Sequence, residues 1–174
     1  MAIAGIPEVI HDFNLYVTGN KLGGVTGEVK VPELASVTST TSGAGILGEY
    51  ESVVAGHYGS MEQEIPFRCI NADYFTLINP NEAFEVTLRG SIQYTEQATM
   101  KVKHMGMRIV YRGRCKKINI GTVKQRGSMD SSVTLELFYI LIEMDGQSKL
   151  ELDKLNGVFK VDGVDLLAEV KAQT

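Results

Sequence analysis

No stretch of apolar residues in this chain approaches the roughly 18 needed to cross a membrane as a helix, so a helical span is excluded. Cysteine is scarce. Cys69 and Cys115 belong to no Cys-x-x-Cys pair and lie near no histidine in sequence. A disulfide framework is therefore not indicated, and two buried, reduced thiols are expected. The opening segment, Met1 to Pro7, lacks a basic residue and is too short in apolar content for a signal peptide, which points to synthesis in the cytoplasm. Nor is there an excess of basic charge. A net charge of −4 and a pI near 5.4 argue against a dedicated nucleic-acid binder. Internal repeats and a domain boundary are missing too, so the 174 residues read as a single domain over 1–174. A domain of this size buries about 70% of its unfolded surface and needs no metal or disulfide to fold.

Motifs that carry chemistry are equally thin. Gly43-Ala44-Gly45-Ile46-Leu47-Gly48 spells G-x-G-x-x-G, with Glu62 and Glu64 downstream where a dinucleotide site would want an acid. That motif works only when an apolar strand leads in and a helix opens behind it to present N–H groups to a pyrophosphate. Here the lead-in is Val37-Thr38-Ser39-Thr40-Thr41-Ser42 and the sequel, Glu49 to Val53, is at best strand-like. His11, His57 and His104 show no spacing that makes a metal site. Ser128, Ser131 and Ser132 have no nucleophile-elbow pattern around them. No catalytic, cofactor-binding or metal-ligating residue is assigned, and an enzyme is not expected.

What the chain does have is alternation, the signature of half-buried strands. Phe84, Val86, Leu88, Ile92 and Tyr94 share one parity; Glu85, Thr87, Arg89, Ser91 and Gln93 take the other. Met100 to Lys117 alternates as well, with a change of phase between Val102 and Met107 that predicts a β-bulge at Gly106. The two segments form one long hairpin turning near Thr95 to Thr99. Ser132 to Asp145 is a further strand whose second half, Phe138 to Ile142, is apolar on both faces and needs cover on each. Asp145-Gly146 and Asn156-Gly157 are turn signals. Two short helices are expected, one over Ala72 to Asn79 capped by Asn71, the other over about Asp165 to Ala172. Residues 35–60, rich in Ser, Thr and Gly, show little sustained apolar pattern. They read either as a mobile surface loop or as an arm that orders against a partner.

Charge is unevenly placed. Lys101 to Arg126 holds nine Lys or Arg and no Asp or Glu, while Asp130 to Asp153 is acidic with Lys149 alone against it. Such blocks can neutralise each other across paired strands, meet between subunits, or form a nucleic-acid patch. Only Tyr111 interleaves with the basic residues, which disfavours stacking on single strands.

The C-terminal half carries Arg112-Gly113-Arg114, Lys117-Ile118-Asn119-Ile120-Gly121 with Lys124, Met144-Asp145-Gly146, Leu152-Asp153-Lys154-Leu155-Asn156, and Val161-Asp162-Gly163-Val164-Asp165-Leu166-Leu167. The N-terminal half carries Phe13-Asn14-Leu15-Tyr16-Val17-Thr18-Gly19, Val31-Pro32-Glu33-Leu34 and Gly43-Ala44-Gly45-Ile46. In these pieces and their order the chain resembles the major tail tube proteins of contractile-tailed phages and of R-type bacteriocins, which are headless tails. It departs from that family at Asn119, where Asp is common, at Arg126-Gly127, where Gly-Glu is common, and at Ile46, where methionine stands.

The resemblance implies a mainly β fold, a sandwich or barrel with a long hairpin and one or two short helices. It implies a hexameric ring, rings stacked into a tube inside a sheath, and no cofactor. Its partners would be copies of itself, with sheath, baseplate and tape-measure proteins; the mature form would sit in a virion tail or a bacteriocin particle released on lysis. Whether DNA passes through the lumen is left open, since phage and headless tails share these subunits. Within that frame the assembly loop about 35–60, and in it Thr40, Thr41, Ser42, Gly43, Ala44, Gly45, Ile46, Leu47 and Gly48, is expected to make ring-to-ring contacts. Arg112, Arg114, Lys116 and Lys117 are expected to meet acidic surface on a neighbour. Two alternatives stay beside this reading: a tube protein of the type VI secretion kind, and a monomeric β-barrel with an apolar ligand cavity.

Overall fold

The computed structural model describes residues 5–174. Most of them lie in strands. In chain order these are β1 (Gly5–Val17), β2 (Asn20–Lys21), β3 (Ser36–Ser42), β4 (Glu49–Tyr58), β5 (Glu62–Phe67), β6 (Ala83–Glu96), β7 (Val102–Asn119), β8 (Ser131–Met144), β9 (Gln147–Asp153), β10 (Val158–Val161) and β11 (Val164–Asp165). Two short helices, α1 (Ala72–Thr76) and α2 (Ala168–Gln173), complete the set.

Alternation dictates the main sheet. Its order is β11-β10-β9-β8-β7-β6-β1-β2, all antiparallel neighbours, with β5 on the first half of β8. Residues of one parity line up into apolar rows across it. Val17, Val86, Tyr111, Ile140, Leu152 and Phe159 form one such row. Leu15, Leu88, Ile109 and Ile142 form the next. Met61, Ile65, Phe67, Tyr74 and Leu77 close over these rows and are themselves fully buried. Tight turns fix the register. Thr18-Gly19, Asp145-Gly146 and Asp162-Gly163 each place two successive residues at positive φ, as two-residue hairpin loops require.

Several expectations are corrected. The main sheet does not close into a barrel: its path ends at β2 on one side and β11 on the other. Gly106 is no bulge, because β6 and β7 pair without interruption from Thr95↔Val102 to Ala83↔Arg114. Val102 simply points away from the core, 57% exposed, and Met105, Met107, Ile109 and Tyr111 keep one face throughout. The real irregularities lie between β7 and β8, where Phe138 is the extra residue on one strand and Lys116 on the other. The first helix stops at Thr76 and does not reach Asn79. Asn71 does cap it, accepting from Tyr74 N at 2.9 Å, but Thr76 Oγ1 donates to Asp73 O and competes with a further turn. The second helix begins at Ala168, later than Asp165. Cys69 is exposed and Cys115 half-buried, and both are free. Residues 35–60 are neither structureless nor a loop: they hold β3 and β4, paired as a separate two-stranded sheet.

Candidate assembly surface

The β3–β4 arm is built of residues that cannot make a core of their own. Thr favours extended backbone, and Thr and Ser both expose hydroxyls to water, so the arm can form a ladder yet is apolar only in patches. Thr38↔Val53 through Ser42↔Glu49 pair in register, and Gly43 to Gly48 close the tip. Thr40, Thr41 and Ser42 thus lie on β3, while Gly43, Ala44, Gly45, Ile46, Leu47 and Gly48 form the turn, with Leu47 wholly exposed. Strand β4, not a helix, follows Gly48, so the glycine motif presents no helix terminus to a phosphate. Val37, Tyr50 and Val53 are exposed along the arm.

At its root the arm changes direction. Ser36 pairs with Tyr58, but Thr38 pairs with Val53, so Val54 to His57 stand opposite Val37 alone. Gly56 lies in that bulge at φ +75, and a Cβ there would come within 2.9 Å of both Leu167 methyls. Tyr58 packs edge to face on Phe159, ring centroids 5.5 Å apart.

The basic strand presents its charges on the solvent face of the main sheet. Arg108 donates to both Glu143 oxygens, at 2.5 and 2.9 Å. Arg112 donates to Glu85 Oε2 at 2.8 Å and stacks over the Tyr139 ring, 4.6 Å from its centroid. Lys116 Nζ meets Glu62 Oε1 at 2.6 Å and Glu136 Oε2 at 2.8 Å. The basic and acidic blocks of the sequence are thus neighbouring strands whose charges interlock. Those hydrogen bonds, to Glu136 first and Glu62 next, push the Lys116 ammonium up to about 12. Arg114 lies over Phe138, and neither Arg114 nor Lys117 holds an ion pair among the described residues. Of the four basic residues singled out in the sequence, two are therefore engaged in ion pairs inside the subunit and two hold none among the described residues. The same solvent-side surface also tempers Tyr139 and Phe138, which the sequence required to be covered: guanidinium groups from β7 lie over them.

The third element of the surface is the β1 edge, which sequence reasoning missed. Strand β2 covers only Tyr16 and Val17, leaving the remainder of β1 without a ladder partner on that side among the described residues. Ile6, Val9 and Ile10 on this edge are each about half exposed. Its bulges at Glu8 and His11 fall where the register against β6 shifts. The signal was faint in sequence because Pro7, Glu8, His11 and Asp12 break the alternation. His11 and His104 meet edge to face, centroids 5.5 Å apart, and no metal-binding group of three or more His, Cys, Asp or Glu gathers among the described residues.

The family model for phage tail tube protein FII matches residues 7–173. The chain belongs to that family. The match runs through every element just described, from the β1 edge to α2. Among curated relatives, the tail tube protein of Escherichia phage P2 is 25% identical over 165 residues, covering 94% of this chain and 95% of the relative. Among solved structures, a sheath/tube terminator of the extracellular contractile injection system PVC, in its extended state, superposes with a TM-score of 0.53. It shares 12% identity, covering 79% of this chain and 96% of that one, so the likeness is one of fold. The chain is thus a phage tail tube protein, of a structural family and not an enzyme family. Gly43 to Gly48 thus stand in a tail tube protein's projecting arm, which explains a glycine cluster without a nucleotide.

Proposed function

We propose that this tail tube protein closes into hexameric rings, and that the rings stack through the β3–β4 arm into the inner tube of a contractile tail. The tube is a rigid conduit driven through a target envelope, and the role is mechanical. The observation that carries the reading is the arm itself: a two-stranded sheet separate from the body and exposed along almost its whole length. An isolated hairpin is marginally stable in water, and a second copy that covers it removes that weakness. The β1 edge, without a ladder partner beyond Tyr16 and Val17 among the described residues, supports lateral closure, since such an edge beside the exposed Ile6, Val9 and Ile10 is a template for a neighbour. Head-to-tail contacts that close give a ring, and those that do not close give a filament. Arg114 and Lys117 are the basic contacts toward a neighbour's acidic surface; Arg112 and Lys116 serve that contact only beyond the carboxylates they already hold. Sheath, baseplate and tape-measure proteins are the further partners of such a tube.

Deleting Thr40 to Gly48 tests the stacking role. Ser39↔Ser52 pairing then closes a three-residue turn over Glu49 to Glu51, so the body should fold unchanged by circular dichroism. Stacked tubes should be lost in electron micrographs; normal tubes would remove the arm from the mechanism. Neutralising Arg114 and Lys117 to Gln should weaken association and flatten its salt dependence in light scattering.

A further inference from the structure

The root of the arm is tied to the body by a cluster that the sequence scatters over β5, β7 and β8. Lys116 is the extra residue of the β7 bulge, opposite no residue of β8. A bulged residue is free of the ladder's alternation, so its side chain can be re-aimed. Lys116 reaches across to the segment between β4 and β5, where its Nζ donates to Ser60 Oγ at 3.2 Å as well as to Glu62 and Glu136. Ser60 Oγ in turn donates to Glu136, 2.7 Å from Oε2 and 2.9 Å from Oε1. One residue earlier, Gly59 O accepts from Lys154 Nζ at 2.5 Å and Gly59 N donates to Ala35 O at 3.0 Å. Both strands of the arm therefore leave the body at one polar knot. Immediately above the knot lies the Val54–His57 bulge with Gly56 at positive φ, and above that both strands of the arm are exposed for most of their length.

We propose that Lys116, with Ser60 and Glu136, is a clamp that sets the angle of the β3–β4 arm for a second copy of this chain, and that the arm swings at Gly56 when the clamp is opened. This rests on the stacking role given to the arm above. Lys116 is a positioning residue: it touches the root, and the partner meets the tip. The clamp borders a cleft of about 350 Å³ lined by Lys30, Pro32, Ser60, Glu62, Glu64 and Thr134, so water and salt reach it. An ion pair so placed is weak as a source of stability but suited to orienting a lever. Fixing the arm beforehand removes the ordering cost at the moment of association. A stiff arm at the wrong angle would lose the contact altogether.

The test uses the full chain and two readouts. Hydrogen exchange is followed at residues 54–61 in dilute protein, and assembly is followed by light scattering on concentration. Lys116→Met should raise exchange across 54–61 by roughly 5-fold or more and slow assembly by a similar factor, with the melting temperature little changed. Ser60→Ala, which removes only the hydroxyl and is safe for folding, should act in the same direction more weakly. The exchanged pair Lys116→Glu with Glu136→Lys should recover both readouts, which a mere packing role would not do. If exchange and assembly of Lys116→Met and Ser60→Ala match the parent chain, the clamp is wrong while the stacking role stands. If the parent chain forms no rings or tubes, the stacking role is wrong, and exchange at 54–61 still decides whether the clamp holds the arm.

Discussion

Gly113 sits where β8 inserts Phe138, and there the two backbones close in. A Cβ on Gly113 would lie 2.2 Å from Glu136 O and 3.1 Å from a Leu137 methyl. Neither neighbour can yield, since one is backbone and Leu137 is fully buried. Gly113→Ala should cost about 1–3 kcal/mol or more in urea denaturation, as overpacking does, while Gly146→Ala, with open space around it, should act only through its positive φ. Tyr111 makes the opposite case. Its ring is in the core and its hydroxyl has no hydrogen-bond partner among the described residues. Burial pushes its ionisation far up, beyond any pH the fold would meet. Removing that stranded oxygen in Tyr111→Phe should stabilise the protein by about 1 kcal/mol, read as a higher urea midpoint at unchanged slope. Acid acts on the clamp. Burial would raise the Glu136 carboxyl, but hydrogen bonds from Lys116 and Ser60, with the nearby charge of Lys154, leave it below its ordinary value of 4.5. A lowered carboxylate contributes stability that is complete above 4.5 and is lost as pH falls through its folded value. Glu62 on β5 and Arg114, opposite Glu136 on β7, face the same cluster. Lys116, pushed up to about 12, contributes fully below its ordinary 10.5 and loses that only as pH rises through about 12. Exchange at 54–61, corrected for its intrinsic dependence on pH, should therefore be flat across neutral pH and rise only in acid, below 4.5. A rise centred near neutrality would assign the arm's root to another group.

At the scale of elements, the long strands were legible because a period of two sustained along a whole segment is incompatible with the 3.6-residue repeat of a helix. The β6–β7 hairpin, β8 and the Asp145-Gly146 turn stand close to where alternation and turn chemistry put them. The arm was illegible as strands for a physical reason. Ser and Thr on both faces of β3 leave no apolar side to betray the period, and the ladder bonds that hold it are backbone to backbone. The bulge expected at Gly106 lies elsewhere because Val102 is an exposed residue and not part of the core face; Gly113, a glycine inside an alternating run, is the truer sign. In the sequence Lys116 is one charge of a basic run, and nothing there ties it to Ser60, 56 positions away, since the bulge that aims it exists only once β7 and β8 pair. Truncating Leu137, fully buried beside that bulge, to Ala should cost about 2–5 kcal/mol in the same denaturation assay.

At the scale of the whole molecule, three features share one sense. The sheet has an open edge at β1, the arm stands off the body, and the solvent face of the basic strand is largely neutralised by its own subunit. A body whose charges are paired internally associates through edges and arms, not through bulk attraction of opposite surfaces. Assembly should then vary only moderately with salt, with Arg114 and Lys117 carrying what dependence there is. The measurement that bears most directly on the tube is light scattering of the purified chain as it is concentrated, followed by negative-stain microscopy of the same sample. Rings or tubes of one uniform width should form. A monodisperse monomer that persists on concentration would contradict the tube.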